Sequence, residues 1–90
     1  MEKTTTQPIR NLLGPEIRKI RIAKGWKQVM VVRKLQLKGW DLDPPMFARI
    51  EMGNRALRDY EIILIAQVLE VTPNDLLLPQ ARNAGSFFGK

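Results

Sequence analysis

Arg49 lies four residues after Pro45 and two after Phe47, inside the stretch LQLKGWDLDPPMFARIE (Leu35 to Glu51). A guanidinium there can do recognition chemistry. Its planar fork donates two parallel hydrogen bonds, and guanine offers two matched acceptors in the major groove of a duplex. Phe47 and Ile50 define the apolar side of this segment, so Arg49 is expected on the opposite, outer side. The plainer alternative is a solvated arginine. Beside it, Pro44, Pro45 and Met46 present carbon, which suits thymine methyl groups and needs no donor. They can equally be nothing more than a well-packed helix start. Lys27, Asn54, Arg55 and Arg58 are ordinary surface residues taken singly, but as a cluster they are candidates for phosphate contact.

Bond-breaking chemistry finds no comparable support. The 90-residue chain has no His and no Cys, which removes the commonest general base, the commonest metal ligand and any thiolate or disulfide. The remaining Asp, Glu and Lys include no nucleophile paired with a base and no metal cage, so neither an enzyme nor a cofactor is expected. Charge points elsewhere. Residues 1 to 58 hold thirteen bases and five acids, a net +8, whereas residues 59 to 90 carry −2. A polarised basic segment suits an anionic polymer, because neutralising phosphates releases counterions. Solvated basic helix faces are the alternative. No apolar targeting segment opens the chain and no run approaches a membrane span, so a soluble, cytoplasmic protein is expected.

The elements that must position these residues follow from period and punctuation. With 44% hydrophobic residues, the chain can support one small core and hence one domain. Residues 1 to 10 are polar, contain Pro8 and lack periodicity, so a flexible arm is expected. Leu13, Ile17 and Ile20 repeat at helical spacing, with Pro15 suited to a first turn and Gly25 to a stop. QVMVVRKLQL (Gln28 to Leu37) fits either a strand or a helix. A lone strand has no partner here, so a short helix is expected, ended by Gly39. Asp43-Pro44-Pro45 reads as a third start. The residue before a proline is steered toward extended conformations, which places the helix at about 45 to 52, with the Asp43 carboxylate near the N–H of Met46 or Phe47. Missing donors and a nearby carboxylate make this end a poor phosphate site. Asp59 to Leu69 should form the most buried helix, and Thr72-Pro73-Asn74-Asp75 should open a short fifth one ending at Pro79. The tail from 80 to 90, with Phe87 and Phe88, is expected to be disordered.

Three blocks sharpen this all-α reading: IRKIRIAKGWKQ (Ile17 to Gln28), FARIEMGNR (Phe47 to Arg55) and IAQVLEVTPNDLL (Ile65 to Leu77). In this order and near-regular spacing, they resemble the phage repressor and Cro-like (XRE-type) helix-turn-helix family over about residues 13 to 78. The resemblance implies a compact five-helix repressor-like domain over 11 to 79. It also implies that Gln28 opens the second helix and touches a backbone phosphate, that Arg21 pairs with Glu51, and that the helix ending at Glu51 is the recognition helix. Two features depart from the family. Gln28 and Glu51 stand 23 positions apart, a few more than usual, which marks a subgroup with a lengthened turn in LQLKGWDLD. Lys27 replaces the usual capping Ser or Thr, and Pro44-Pro45 replaces polar side chains that read bases in many members.

The expected function is sequence-specific binding of double-stranded DNA by a transcriptional regulator. A homodimer on a two-fold site is expected, because one small module makes too few contacts for tight binding. The alternative is a protein-interaction module that keeps the fold without base readout, using the prolines with Val29, Met30, Phe87 and Phe88.

Overall fold

Five helices succeed one another in the computed structural model, which describes residues 9–82: α1 (Gly14–Ala23), α2 (Gln28–Leu37), α3 (Pro44–Glu51), α4 (Asp59–Leu69) and α5 (Pro73–Arg82). The ambiguous QVMVVRKLQL segment is helical, and no strand occurs among the described residues. Val31, Val32 and Leu35 explain this choice. On a helix they share one side, and all three are buried there. They meet Leu13 and Ile17 from α1 and its lead-in, Phe47 and Ile50 from α3, and Ile65, Ala66, Val68 and Leu69 from α4 in a single core, which Leu76 of α5 completes. As expected, α4 contributes the most buried residues. No single helix among the described residues is long and apolar enough to cross a membrane.

Helix ends repeat one device. At the ends of α1, α2 and α3 the N–H groups of Gly25, Gly39 and Gly53 donate to Ile22, Gln36 and Ile50. The next N–H groups, of Trp26, Trp40 and Asn54, reach back five residues to Arg21, Leu35 and Arg49. Each is a Schellman motif closed by a residue in the left-handed region. The end of α4 has the same bonds from Glu70 and Val71, but with Glu70 at φ 63 in the place of glycine.

Three sequence expectations need correction. Helix α3 begins at Pro44, one residue early: Asp43 (ψ 164) takes up the extended conformation that precedes a proline, and both prolines then occupy the donor-free first turn. Helix α5 continues through Pro79 to Arg82. A proline removes one hydrogen bond and crowds one carbonyl, which weakens a helix without necessarily ending it. Buried Leu76 and a reciprocal cap hold the start of α5: Thr72 Oγ1 accepts from Asp75 N–H, and the Asp75 carboxylate accepts from Thr72 N–H. The arm expected over 1–10 is tied down by residue 10, because Arg10 and Asn11 N–H both donate to the Gly53 carbonyl, at 2.8 and 3.2 Å. The expectations for residues 1–8 and for the tail carrying Phe87 and Phe88 lie outside the described residues.

Candidate nucleic-acid interface

Buried charge positions α3. The Glu51 carboxylate, 1% exposed, accepts from Arg21 Nε at 2.6 Å, from Arg21 Nη2 at 3.1 Å and from Gln28 Nε2 at 2.8 Å. Arg21 Nη1 also donates to the Trp26 carbonyl at 2.7 Å. One carboxylate therefore joins α1, the start of α2 and the end of α3, and the fork of the guanidinium fixes its direction. Gln28 opens α2 as expected, but its side-chain amide is directed to Glu51.

A second clamp was not anticipated from the sequence. Asn11 Oδ1 accepts from Leu13 and Gly14 N–H at 2.9 and 2.7 Å, while Nδ2 donates to the carbonyls of Ile50 and Arg55 at 3.1 and 2.7 Å. A side-chain amide offers both donors and an acceptor, so this one residue serves the start of α1 and the end of α3 together. The approach is close enough to require Gly14. A Cβ there would fall 2.2 Å from the Ile50 oxygen. The signal was present in the sequence as Asn three residues before a Gly-Pro helix start.

With its inner side fixed by Phe47, Ile50 and Glu51, α3 turns Pro44, Pro45 and Arg49 outward, and Met46 is half-buried. The Arg49 side chain is exposed and makes no hydrogen bond or ion pair among the described residues. The first turn of α3 has no donor to spare. Met46 N–H goes to Asp43 Oδ1 at 2.8 Å, Phe47 N–H goes to the Asp43 carbonyl at 3.1 Å, and the two prolines have none. The start of α2 is the reverse case. Lys27 is exposed, its side chain caps nothing, and the opening N–H groups sit at the positive end of the helix.

The turn from Lys38 to Asp43 is held by Leu42, whose side chain is buried and whose carbonyl accepts from Gln36 Nε2 at 2.8 Å. Trp40, Met46, Arg55, Arg58 and Tyr60 line an open depression of about 470 Å³ between this turn and the α3–α4 loop. The structure therefore gathers Met46, Arg55 and Arg58, while Lys27 and Gln28 stand apart at the start of α2.

Of the expected phosphate ligands, Arg55 is committed elsewhere, as Gln28 is to Glu51. Arg55 donates to both Glu61 oxygens, at 3.0 and 3.4 Å, and to the Ala56 carbonyl, with its guanidinium 5.6 Å from the centre of the Trp40 ring. Asn54 has its side-chain oxygen buried without a partner among the described residues. Glu61, in the first turn of α4, is buried. Burial alone would raise its carboxyl, but bonds from Arg55 and the Arg58 N–H, with both positive charges, hold it below the ordinary range. Arg58 is fully exposed, and the hydrogen bond of its guanidinium to the Tyr60 hydroxyl at 2.9 Å raises it further above its ordinary value.

No protein-family model, curated protein or solved structure matches this chain. What α3 can do is set by its own chemistry: one unpaired planar cation and an apolar leading edge, on a helix fixed by two independent clamps. Among the described residues no group of His, Cys, Asp or Glu could hold a metal ion.

Proposed function

We propose that this chain binds double-stranded DNA sequence-specifically as a transcriptional regulator, through a helix-turn-helix of the phage repressor and Cro-like kind. In this reading α2 and α3 are the motif and α3 enters the major groove. The observation that carries it is Arg49. It is exposed and unpaired on the one helix whose inner side is anchored by the Arg21–Glu51–Gln28 cluster. A solvated arginine needs no such anchoring, whereas bidentate contact with guanine depends on orientation. Pro44 and Pro45 make the leading edge apolar and donor-free, which suits thymine methyl groups. Lys27 and the opening N–H groups of α2 take a phosphate, and Arg58 takes a second. A homodimer on a two-fold site supplies the contacts that one module of this size lacks.

Selection from a random duplex pool tests the reading. A recurring target should emerge, and Arg49→Ala should lose about 1–3 kcal/mol of discrimination between that target and random duplex. Equal losses on both duplexes would reassign Arg49 to phosphate contact, and failure to enrich any target would overturn base readout.

A further inference from the structure

Helix α2 is apolar on two sides, and only one of them serves the core. Val31, Val32 and Leu35 face inward; on the opposite side Val29, Met30 and Leu37 are 49%, 40% and 85% exposed. With Arg33 between them, they lie along about 12 Å of the outer side of the helix. Two shallow depressions flank it. One, of about 300 Å³, is lined by Val29, Met30, Arg33, Lys34 and Leu37. The other, of about 390 Å³, continues from Lys34 and Leu37 to Lys38, Gln67 and Val68. Leu37 thus stands as a ridge between two hollows, the relief into which the side chains of another helix interdigitate.

Charge selects the occupant. Arg33, Lys34 and Lys38 frame this side, and the only acid lining it, Glu70, already faces Lys24 at 3.5 Å. A second copy placed face to face would set these three cations against their own counterparts. No described helix of this chain carries an exposed acidic stripe to offer instead: α2 has no acid, the one acid of α3 is buried Glu51, α1 and α5 have a single acid each, Glu16 and Asp75, and exposed Asp59 of α4 is followed by Glu61, which is buried in its own ion pair. Phosphodiester backbone would satisfy the cations and leave the apolar ridge uncovered. We infer that the outer face of α2 is a docking surface for an acidic amphipathic helix of a different protein. Apolar residues at helical spacing in that partner cover Val29, Met30 and Leu37, and its flanking carboxylates meet Arg33, Lys34 and Lys38.

The test uses the full chain and a labelled peptide of about 14 residues, with Leu at i, i+3 and i+7 and Glu on both flanks. Fluorescence anisotropy should show saturable binding, which weakens with salt and falls by about tenfold in Leu37→Ser and Met30→Ser. Affinity of both variants for random duplex DNA should be unchanged, which keeps this surface separate from the α3 interface and shows that the variants fold. Undiminished binding by the variants overturns the proposal, as does equal binding of a peptide with Lys in place of every Glu. Concentration-dependent dimerisation abolished by Leu37→Ser would assign the face to a second copy. A parallel loss of duplex affinity in both variants would assign it to DNA.

Discussion

At the scale of single residues, the Glu51 carboxylate and the Glu61 carboxylate do similar work by different means. Glu51 accepts three side-chain hydrogen bonds from Arg21 and Gln28. Removing one partner of such a buried pair strands the other, at about 3–5 kcal/mol, whereas replacing both with carbon is far less costly. Arg21→Met should therefore lower stability sharply in urea melts, and the double variant with Glu51→Leu should recover much of it. Additive effects would show two uncoupled groups. Glu61 makes a pH-dependent contribution. Its carboxyl is held below its ordinary value of 4.5, so the folded state binds its proton less readily than the unfolded chain does. The stability this supplies is complete above that ordinary value and is lost as pH falls through the lower folded value. Thermal melts of Glu61→Gln should show a lower plateau near neutral pH and a shallower decline on acidification than the parent. Parallel acid limbs would mean that Glu61 titrates alike folded and unfolded.

At the scale of elements, the four Schellman ends lead to one direct test. Glu70 occupies the left-handed region at φ 63, where a side chain costs about 1–2 kcal/mol and glycine costs nothing comparable. Against that stand the greater freedom of glycine in the unfolded chain and the loss of an exposed contact with Lys24. Glu70→Gly should raise stability by up to about 1 kcal/mol, read as a shift in urea midpoint at constant slope. The same comparison shows what the sequence disclosed. Gly25, Gly39 and Gly53 marked the ends of α1, α2 and α3 because glycine advertises its backbone conformation in its identity. The end of α4 carried no such sign, though its apolar period sufficed to bound it. Pro79 misled because a proline inside a helix and one just past it look alike in one dimension, and the anchoring of Leu76 that decides between them is a tertiary fact. Leu42 was passed over for the same reason: an isolated leucine in WDLD has no period, and only the folded turn shows it buried. Of the candidate site, the Arg21–Glu51 pair and the outward face of α3 were legible from spacing and family resemblance. The Asn11 clamp was legible only in its local half, at the start of α1, because its bonds to Ile50 and Arg55 join residues about 40 positions apart; the Arg55–Glu61 pair was not legible.

At the scale of the whole molecule, the polarity of charge is the property that duplex DNA would feel first. The +8 of residues 1 to 58 overstates what is available to phosphates, because Arg21 and Arg55 spend their donors inside the fold. Of the candidate phosphate ligands, exposed Lys27 and Arg58 remain, one at the start of α2 and the other at the start of α4. Affinity for random duplex should fall steeply with salt, and the slope of log K against log salt counts the phosphates neutralised, at about 0.9 for each. Lys27→Ala should reduce that slope by about one unit, with little change in melting temperature. Arg55→Ala should do the opposite: the slope is kept, while the melting temperature drops because Glu61 is left buried with only part of its support. The pair of variants separates a cation that faces DNA from one that holds the fold, and anisotropy titrations at four or more salt concentrations read the difference directly. A salt-independent parent would remove the electrostatic basis for DNA binding. A slope lowered by Arg55→Ala, with stability intact, would return that guanidinium to the interface and make its contact with Glu61 a resting state of the unbound protein.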